Sequence, residues 1–214
     1  MIRYDRGLQR LAFCLAGLAG YVDAIGFLES GGLFVSFMSG NSTRMAIGVI
    51  DTTAVVLAAA TLIALFVSGV FLNIVAAAKI TIAHRKVVAI SIVAALLVGA
   101  ACCKWTGHEI PATGLLCVAM GAANTIFRRD GEVSIGVTYM TGTLVKLGYR
   151  LADAALGGNR TAWIPYLLLW LALIFGGVLG AASYALSQDA SFGVAAAFAL
   201  ALVPVTRTLA ATSS

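Results

Sequence analysis

Charge is scarce in this chain. Only 9 of 214 residues are acidic and 14 are basic, 11% together, where soluble domains carry about 25%. With 61% hydrophobic residues and a mean hydropathy of +0.99, a soluble globular protein is excluded and an integral membrane protein is indicated. Once the apolar spans are assigned, no length remains for a separate soluble domain. No solvent-exposed basic face is available for nucleic acid, so the net charge of +5 reflects basic loops at a membrane surface. Signatures of catalysis and metal binding are missing as well. There is no HExxH, no phosphate loop and no Ser–His–Asp set at depth, and His84 and His108 have no second ligand nearby in sequence. Cys14, Cys102, Cys103 and Cys117 lie within or beside apolar segments without metal-ligand spacing. Adjacent Cys102 and Cys103 read as small buried residues rather than a redox pair. Neither enzymatic activity nor a cofactor is expected.

What is present is length and apolarity in repeated units. A span needs about 20 predominantly apolar residues, and six segments qualify: 9–28, 54–78, 87–104, 111–127, 162–184 and 191–208. Arg3, Arg6 and Arg10 precede the first, which reads as an uncleaved span rather than a signal peptide. The sequons at 41–43 and 159–161 are discounted, one lying in apolar sequence and the other in an expected cytoplasmic loop. Two further segments, 31–50 and 133–150, are apolar but interrupted.

Loop charge decides how those two run. If each enters and leaves on one side, the stretch Lys79 to Lys86 falls on the same side as the N-terminal arginines. Arg128, Arg129, Arg150, Arg160 and Arg207 join them, while Glu29, Asp51, Glu109 and Asp189 face the other side with only Lys104 near them. The excess of Lys and Arg in cytoplasmic loops selects this arrangement. Six spans plus two re-entrant or broken segments are therefore expected, multi-pass in the bacterial inner membrane, with both termini cytoplasmic. Three spans and one break in each half give two inverted repeats, about 8–104 and 111–208, within one membrane domain.

The breaks themselves repeat. FMSGNSTRMAIG at 37–48 returns as YMTGTLVKLGYR at 139–150, pairing Ser39 with Thr141, Gly40 with Gly142 and Arg44 with Lys146. GYVDAIGF at 20–27 resembles GAANTIF at 121–127, which sets Asp23 opposite Asn124, and VSGV at 67–70 resembles FGGV at 175–178. Paired interruptions in the two halves of a membrane protein point to a central binding site. The candidate lining is Asp23, Ser39, Gly40, Asn41 and Arg44 with Asn124, Thr141, Gly142 and Lys146.

Each of these residues has two readings. Asp23 is the one acidic residue well inside a span; a carboxylate there is kept only when paired or wet, so it serves a proton or cation, or it is structurally paired, with Arg44 as one partner. Arg44 and Lys146 follow the glycines by one turn, where a helix N-terminus favours an anion; as long basic chains they can equally snorkel to headgroups. The hydroxyls and Asn41 cap backbone freed by the breaks and are placed to touch a solute. Asn73 offers an interhelical amide, and Gly17, Gly20, Gly69, Gly176, Gly177 and Gly180 offer close-packing surfaces.

GYVDAIGFLESGGLFVSFMSGNSTRMAIG, with its second copy YMTGTLVKLG, resembles the YoaK family of uncharacterised bacterial inner-membrane proteins. The specific stretches are Gly20 to Ala24 and Ser39 to Asn41, with serine where that family more often has threonine, and with Ala123 where a glutamine is expected before Asn124. The resemblance implies an inner-membrane location and six spans, and brings no activity with it. The leading expectation is a small secondary transporter or channel-like permease in the lipid bilayer, for a small solute with an anion among the classes that fit. A non-transporting scaffold with a polar interior is the alternative, and a homo-oligomer is compatible with either.

Overall fold

The computed structural model describes residues 6–129, 132–133 and 136–211. Its helices are α1 (Arg6–Glu29), α2 (Met38–Asp51), α3 (Thr53–Ala78), α4 (Ile82–Trp105), α5 (Glu109–Ala123), α6 (Met140–Ala155), α7 (Ile164–Leu186) and α8 (Gln188–Ala211). A minimal antiparallel ladder pairs β1 (Arg128–Arg129) with β2 (Glu132–Val133). A short helix follows α1 and another follows α5, and two long helices follow each of them. Five helices, α1, α3, α4, α7 and α8, are long and apolar enough to cross a membrane. The sixth expected span, α5, has 15 helical residues, continued by the turn from Asn124 to Phe127.

The central element is α5, whose Leu116, Cys117, Ala119 and Met120 have no exposed surface. It packs on α1, α3 and α4; α1 packs on α7 and α8; α4 packs on α8. Glycine makes two of these interfaces closer than side chains permit. A Cβ on Gly20 would collide with the Leu173 carbonyl, and one on Gly176 with the Gly17 carbonyl, so α1 and α7 meet backbone to backbone. Between α3 and α5 the same holds for Gly69 against Val118 and Gly121 against Phe66. The small-residue surfaces expected at Gly20, Gly69, Gly176 and Gly180 are thus used for close packing. Asn73, 1% exposed, donates from Nδ2 to the Ala122 carbonyl and the Thr125 hydroxyl, crossing between helices for about 1 kcal/mol.

Both short helices are entered through non-helical backbone. After α1 the chain turns at Gly31 and Gly32, whose φ of 69° and 112° suit glycine and few other residues. It then comes back alongside α1 to the level of Asp23, and α2 starts there. The interruptions were expected at Gly40 and Gly142. They lie earlier in the chain, and both glycines occupy the first turn of the helix that follows. With 14 residues in α2 and 16 in α6, each is about 21–24 Å long, short of the roughly 30 Å hydrocarbon core. α2 packs on α3 and α6 packs on α7.

Candidate functional site

Asp23 holds the first break in place. Its Oδ1 accepts the N–H groups of Val35 at 3.0 Å and Ser36 at 2.8 Å, so the carboxylate caps backbone that no helix or strand satisfies. Asn41 does the same from the other side. It is fully buried, its Oδ1 accepts the Phe34 N–H at 2.9 Å, and its Nδ2 donates to the Phe34 carbonyl at 2.6 Å. The Phe34 ring stacks tilted on Phe27 at 4.8 Å and edge-on to Phe37 at 5.2 Å. Gly40 lies against those rings, with a hypothetical Cβ 2.5 Å from Phe37 Cδ1. Arg44 does not reach Asp23. Its guanidinium lies beside Gly32 and over the Phe27 ring, 5.7 Å from the centroid, and the ion pairs among the described residues belong to Lys104. The expected Asp23–Arg44 pair is therefore not formed: Asp23 Oδ1 accepts two backbone N–H groups, and the Arg44 guanidinium is held beside Gly32 and the Phe27 ring.

The second break is built on the same plan with neutral groups. Asn124 Oδ1 accepts from the Thr138 hydroxyl at 3.1 Å, and its Nδ2 donates to the Met120 carbonyl at 2.9 Å. Thr143 is 7% exposed and donates back to the Tyr139 carbonyl. A Cβ on Gly142 would strike the Tyr139 ring, which therefore packs over the first turn of α6.

Between the two breaks lies a cavity of about 710 Å³, within the range of small-molecule sites. From the first motif it takes Ser36, Met38 and Ser39; from the second it takes Asn124, Thr138, Thr141, Gly142 and Lys146. Phe66 and Val70 of α3 and Tyr166 and Leu169 of α7 complete the wall. Its polar surface is mainly hydroxyl, with one amide and one ammonium. The structure thus joins Ser39, Asn124, Thr141, Gly142 and Lys146 in one space and leaves Asp23, Gly40, Asn41 and Arg44 outside it. Asp23 instead borders a smaller groove of about 340 Å³ with Phe27, Phe34, Leu173 and Gly177.

Sequence reasoning missed the aromatic wall: Phe66 and Tyr166 lie outside the motifs, and Tyr139, which opens the second motif, was not singled out. It also missed a cluster at the far end of the molecule. Lys104 Nζ lies 2.6 Å from Glu29 Oε1 and 3.3 Å from Glu109 Oε1, with the Lys104 and Glu29 side chains 4% and 3% exposed. Tyr184 donates to Glu29 Oε2 at 2.9 Å, and the Phe192 ring lies 5.8 Å from Lys104 Nζ. The signal that was available is that Lys104 is the lone basic residue on an otherwise acidic side.

The comparisons with known proteins agree with the membrane architecture. The family model described as "Protein of unknown function (DUF1275)" matches residues 11–205. The UPF0700 transmembrane protein RA0705 of Rhizobium meliloti (strain 1021) is 35% identical over 200 residues, covering 94% of this chain and 86% of that relative. No solved structure matches. A chain of apolar helices that matches one family model over 11–205 and a transmembrane protein over nearly its whole length is a multi-pass membrane protein of the DUF1275 family.

Proposed function

We propose that this protein is a small permease whose solute path runs between two inverted repeats, through the cavity where the paired Ser/Thr-Gly motifs meet. The observation that carries the reading is that cavity: motifs 102 residues apart, Ser39 and Thr141, line one space. Hydroxyls, an amide and an ammonium facing a mostly apolar chamber in an apolar helical protein are costly unless they are hydrated or paired, and transporter sites are built at interrupted helices.

The repeat relationship is supported by matched contacts. Gly20 meets Leu173 and Gly177 as Gly121 meets Phe66 and Val70, and Gly176 meets Gly17 as Gly69 meets Val118. These equate Gly69 with Gly176, one residue away from the pairing of VSGV with FGGV, and they keep Asp23 opposite Asn124. In this reading all six long segments cross the bilayer, α5 included, and α2 and α6 are re-entrant from opposite sides. Lys79, Lys86 and both termini are cytoplasmic in the inner membrane, with no cofactor and no enzymatic step. Lys146, with hydroxyls around it and no carboxylate among the lining residues, favours a neutral or anionic solute.

The use of Asp23 and Asn41 as backbone anchors favours the rival reading, a scaffold whose polar groups serve only packing. A thermal-shift screen of small polar solutes on the purified protein, repeated with Thr141→Val and Lys146→Ala, separates the two. A permease gives at least one solute that stabilises the wild type and loses its effect in Thr141→Val. A screen in which no solute stabilises the wild type sinks the permease and leaves the scaffold.

A further inference from the structure

The two breaks are built alike but do not carry the same charge. By the motif pairing, the first holds Asp23 and Arg44, one charge of each sign, and the second holds Asn124 and Lys146, which leave a single positive charge. At the first break the carboxylate belongs to the chain: Asp23 Oδ1 accepts two N–H groups just before the start of α2. At the second a neutral amide stands in that position and accepts from the Thr138 hydroxyl. Lys146 follows in the second turn of α6 and lines the cavity, and no carboxylate is among the described lining residues. The ion pairs among the described residues are those of Lys104, so none of them involves Lys146.

The cavity wall is also graded. Lys146, Thr141 and Tyr139 are exposed and mark its open side. Tyr166 and Leu169 are buried, and with Phe66 and Val70 they make a mostly apolar side. That combination sorts solutes. An inorganic anion fills little of about 710 Å³ and leaves the apolar wall uncovered. A dianion meets one ammonium and brings a second charge that stays unpaired. A cation or zwitterion finds no carboxylate for its positive group, and a neutral solute gains nothing from Lys146. The class that uses every part of the wall has one negative head and an apolar body.

We infer that the cavity is a site for small amphipathic monocarboxylates, with the carboxylate at Lys146 and the Thr141 hydroxyl and the apolar body against Phe66, Val70, Tyr166 and Leu169. This rests on the reading of the cavity as a solute path and names the solute class. Lys146 sets the specificity, because a charge-assisted hydrogen bond is the strongest polar contact the lining offers. The aromatic and aliphatic side chains supply the burial of the body. The solute thereby brings to the second break a carboxylate of the kind that Asp23 provides to the first.

Titration calorimetry on the full-length protein in an uncharged detergent tests this. The probes are benzoate and hexanoate, with benzamide as the neutral counterpart, phthalate as a dianion and inorganic phosphate as an anion without a body. Wild type, Lys146→Gln and Lys146→Arg are compared; Lys146 is exposed, so neither variant disturbs packing. At least one monocarboxylate should bind the wild type, bind on the order of tenfold more weakly to Lys146→Gln, and recover in Lys146→Arg. Benzamide, phthalate and phosphate should each bind on the order of tenfold more weakly than that monocarboxylate. Benzamide, phthalate or phosphate binding as tightly, unchanged binding in Lys146→Gln, or no binding of either monocarboxylate overturns the proposal. Uptake into proteoliposomes keeps the two readings apart. A neutral solute carried in preference to benzoate and hexanoate supports the permease and rejects the monocarboxylate class. A monocarboxylate bound through Lys146 but not carried supports the site and rejects the permease.

Discussion

Asn41 grips Phe34 at both of its backbone groups, accepting its N–H at 2.9 Å and donating to its carbonyl at 2.6 Å. One amide thereby replaces the two ladder bonds that a neighbouring strand would supply. Asn41→Ala leaves two polar backbone groups buried without partners, at about 1–3 kcal/mol each. A lowered thermal midpoint and faster proteolysis between Ser30 and Phe37 are expected. Asn41→Asp, which turns a carboxylate oxygen toward the Phe34 carbonyl in a fully buried site, should destabilise at least as much as Asn41→Ala.

The same logic fixes the behaviour of Asp23. Its bonds go to the Val35 and Ser36 N–H groups, so an acceptor oxygen matters more than a charge. Asp23→Asn should retain most of the stability, and Asp23→Ala should lose about 2 kcal/mol or more. Since no ion pair joins Asp23 to Arg44, the double variant Asp23→Asn/Arg44→Gln should show additivity within about 0.5 kcal/mol. A coupling energy well above that, measured by chemical unfolding in detergent, would contradict this account.

Gly176 and Gly69 allow the two backbone-to-backbone interfaces. Alanine at either position forces a carbonyl aside, and overpacking of this kind costs about 1–3 kcal/mol. Gly148, which has nothing within 4 Å of a hypothetical Cβ, provides the control: Gly148→Ala should be neutral or slightly stabilising, as removal of a mid-helix glycine usually is.

Gly142→Ala offers a way to alter the cavity with little effect on the fold. The added methyl displaces the Tyr139 ring, which is 68% exposed and free to move. The thermal midpoint should change little, while any solute found by screening should bind on the order of tenfold more weakly, a loss of about 1.4 kcal/mol. Equal binding to both proteins would show that the solute sits elsewhere.

For topology, reporter fusions after Lys86 and after Arg129 should both read cytoplasmic, with a fusion after Trp105 reading external. An external signal at Lys86 would mean that α2 crosses the membrane and would remove the inversion.

The fold was largely readable because apolar length and loop charge are local properties. Each long helix begins and ends within a few residues of its apolar segment, and the short helices were visible as apolar stretches with polar interruptions. The position of the breaks was less readable. Ser-Gly-Asn at 39–41 looks like a helix breaker, yet its glycine sits in the first turn of α2 because Asn41 and Asp23 supply the hydrogen bonds that the preceding backbone lacks. Those partners are fixed by the return of the chain at Gly31 and Gly32, a tertiary fact. Ser39, Asn124, Thr141, Gly142 and Lys146, singled out from the paired motifs, line one cavity. Arg44, which the motif alignment pairs with Lys146, lies over the Phe27 ring and away from the cavity, because a motif match does not fix which way a side chain turns. Lys104 and Glu29 are 75 residues apart, and nothing in either neighbourhood names the other.

The brevity of α5 has an electrical consequence. Its 15 residues span about 22 Å, against roughly 30 Å of hydrocarbon in the surrounding lipid. One end carries solvent-exposed Glu109, and the other leads into Asn124 at the cavity wall. In the permease reading, with α5 crossing the bilayer and the cavity hydrated, the insulating layer at the centre of the protein is thinner than the bilayer around it. The same membrane voltage falls over a shorter distance there, giving a field about a third steeper along α5 than in the lipid, and a charge moved from the cavity to the opposite face crosses most of a drop worth about 2.3 kcal/mol per 100 mV.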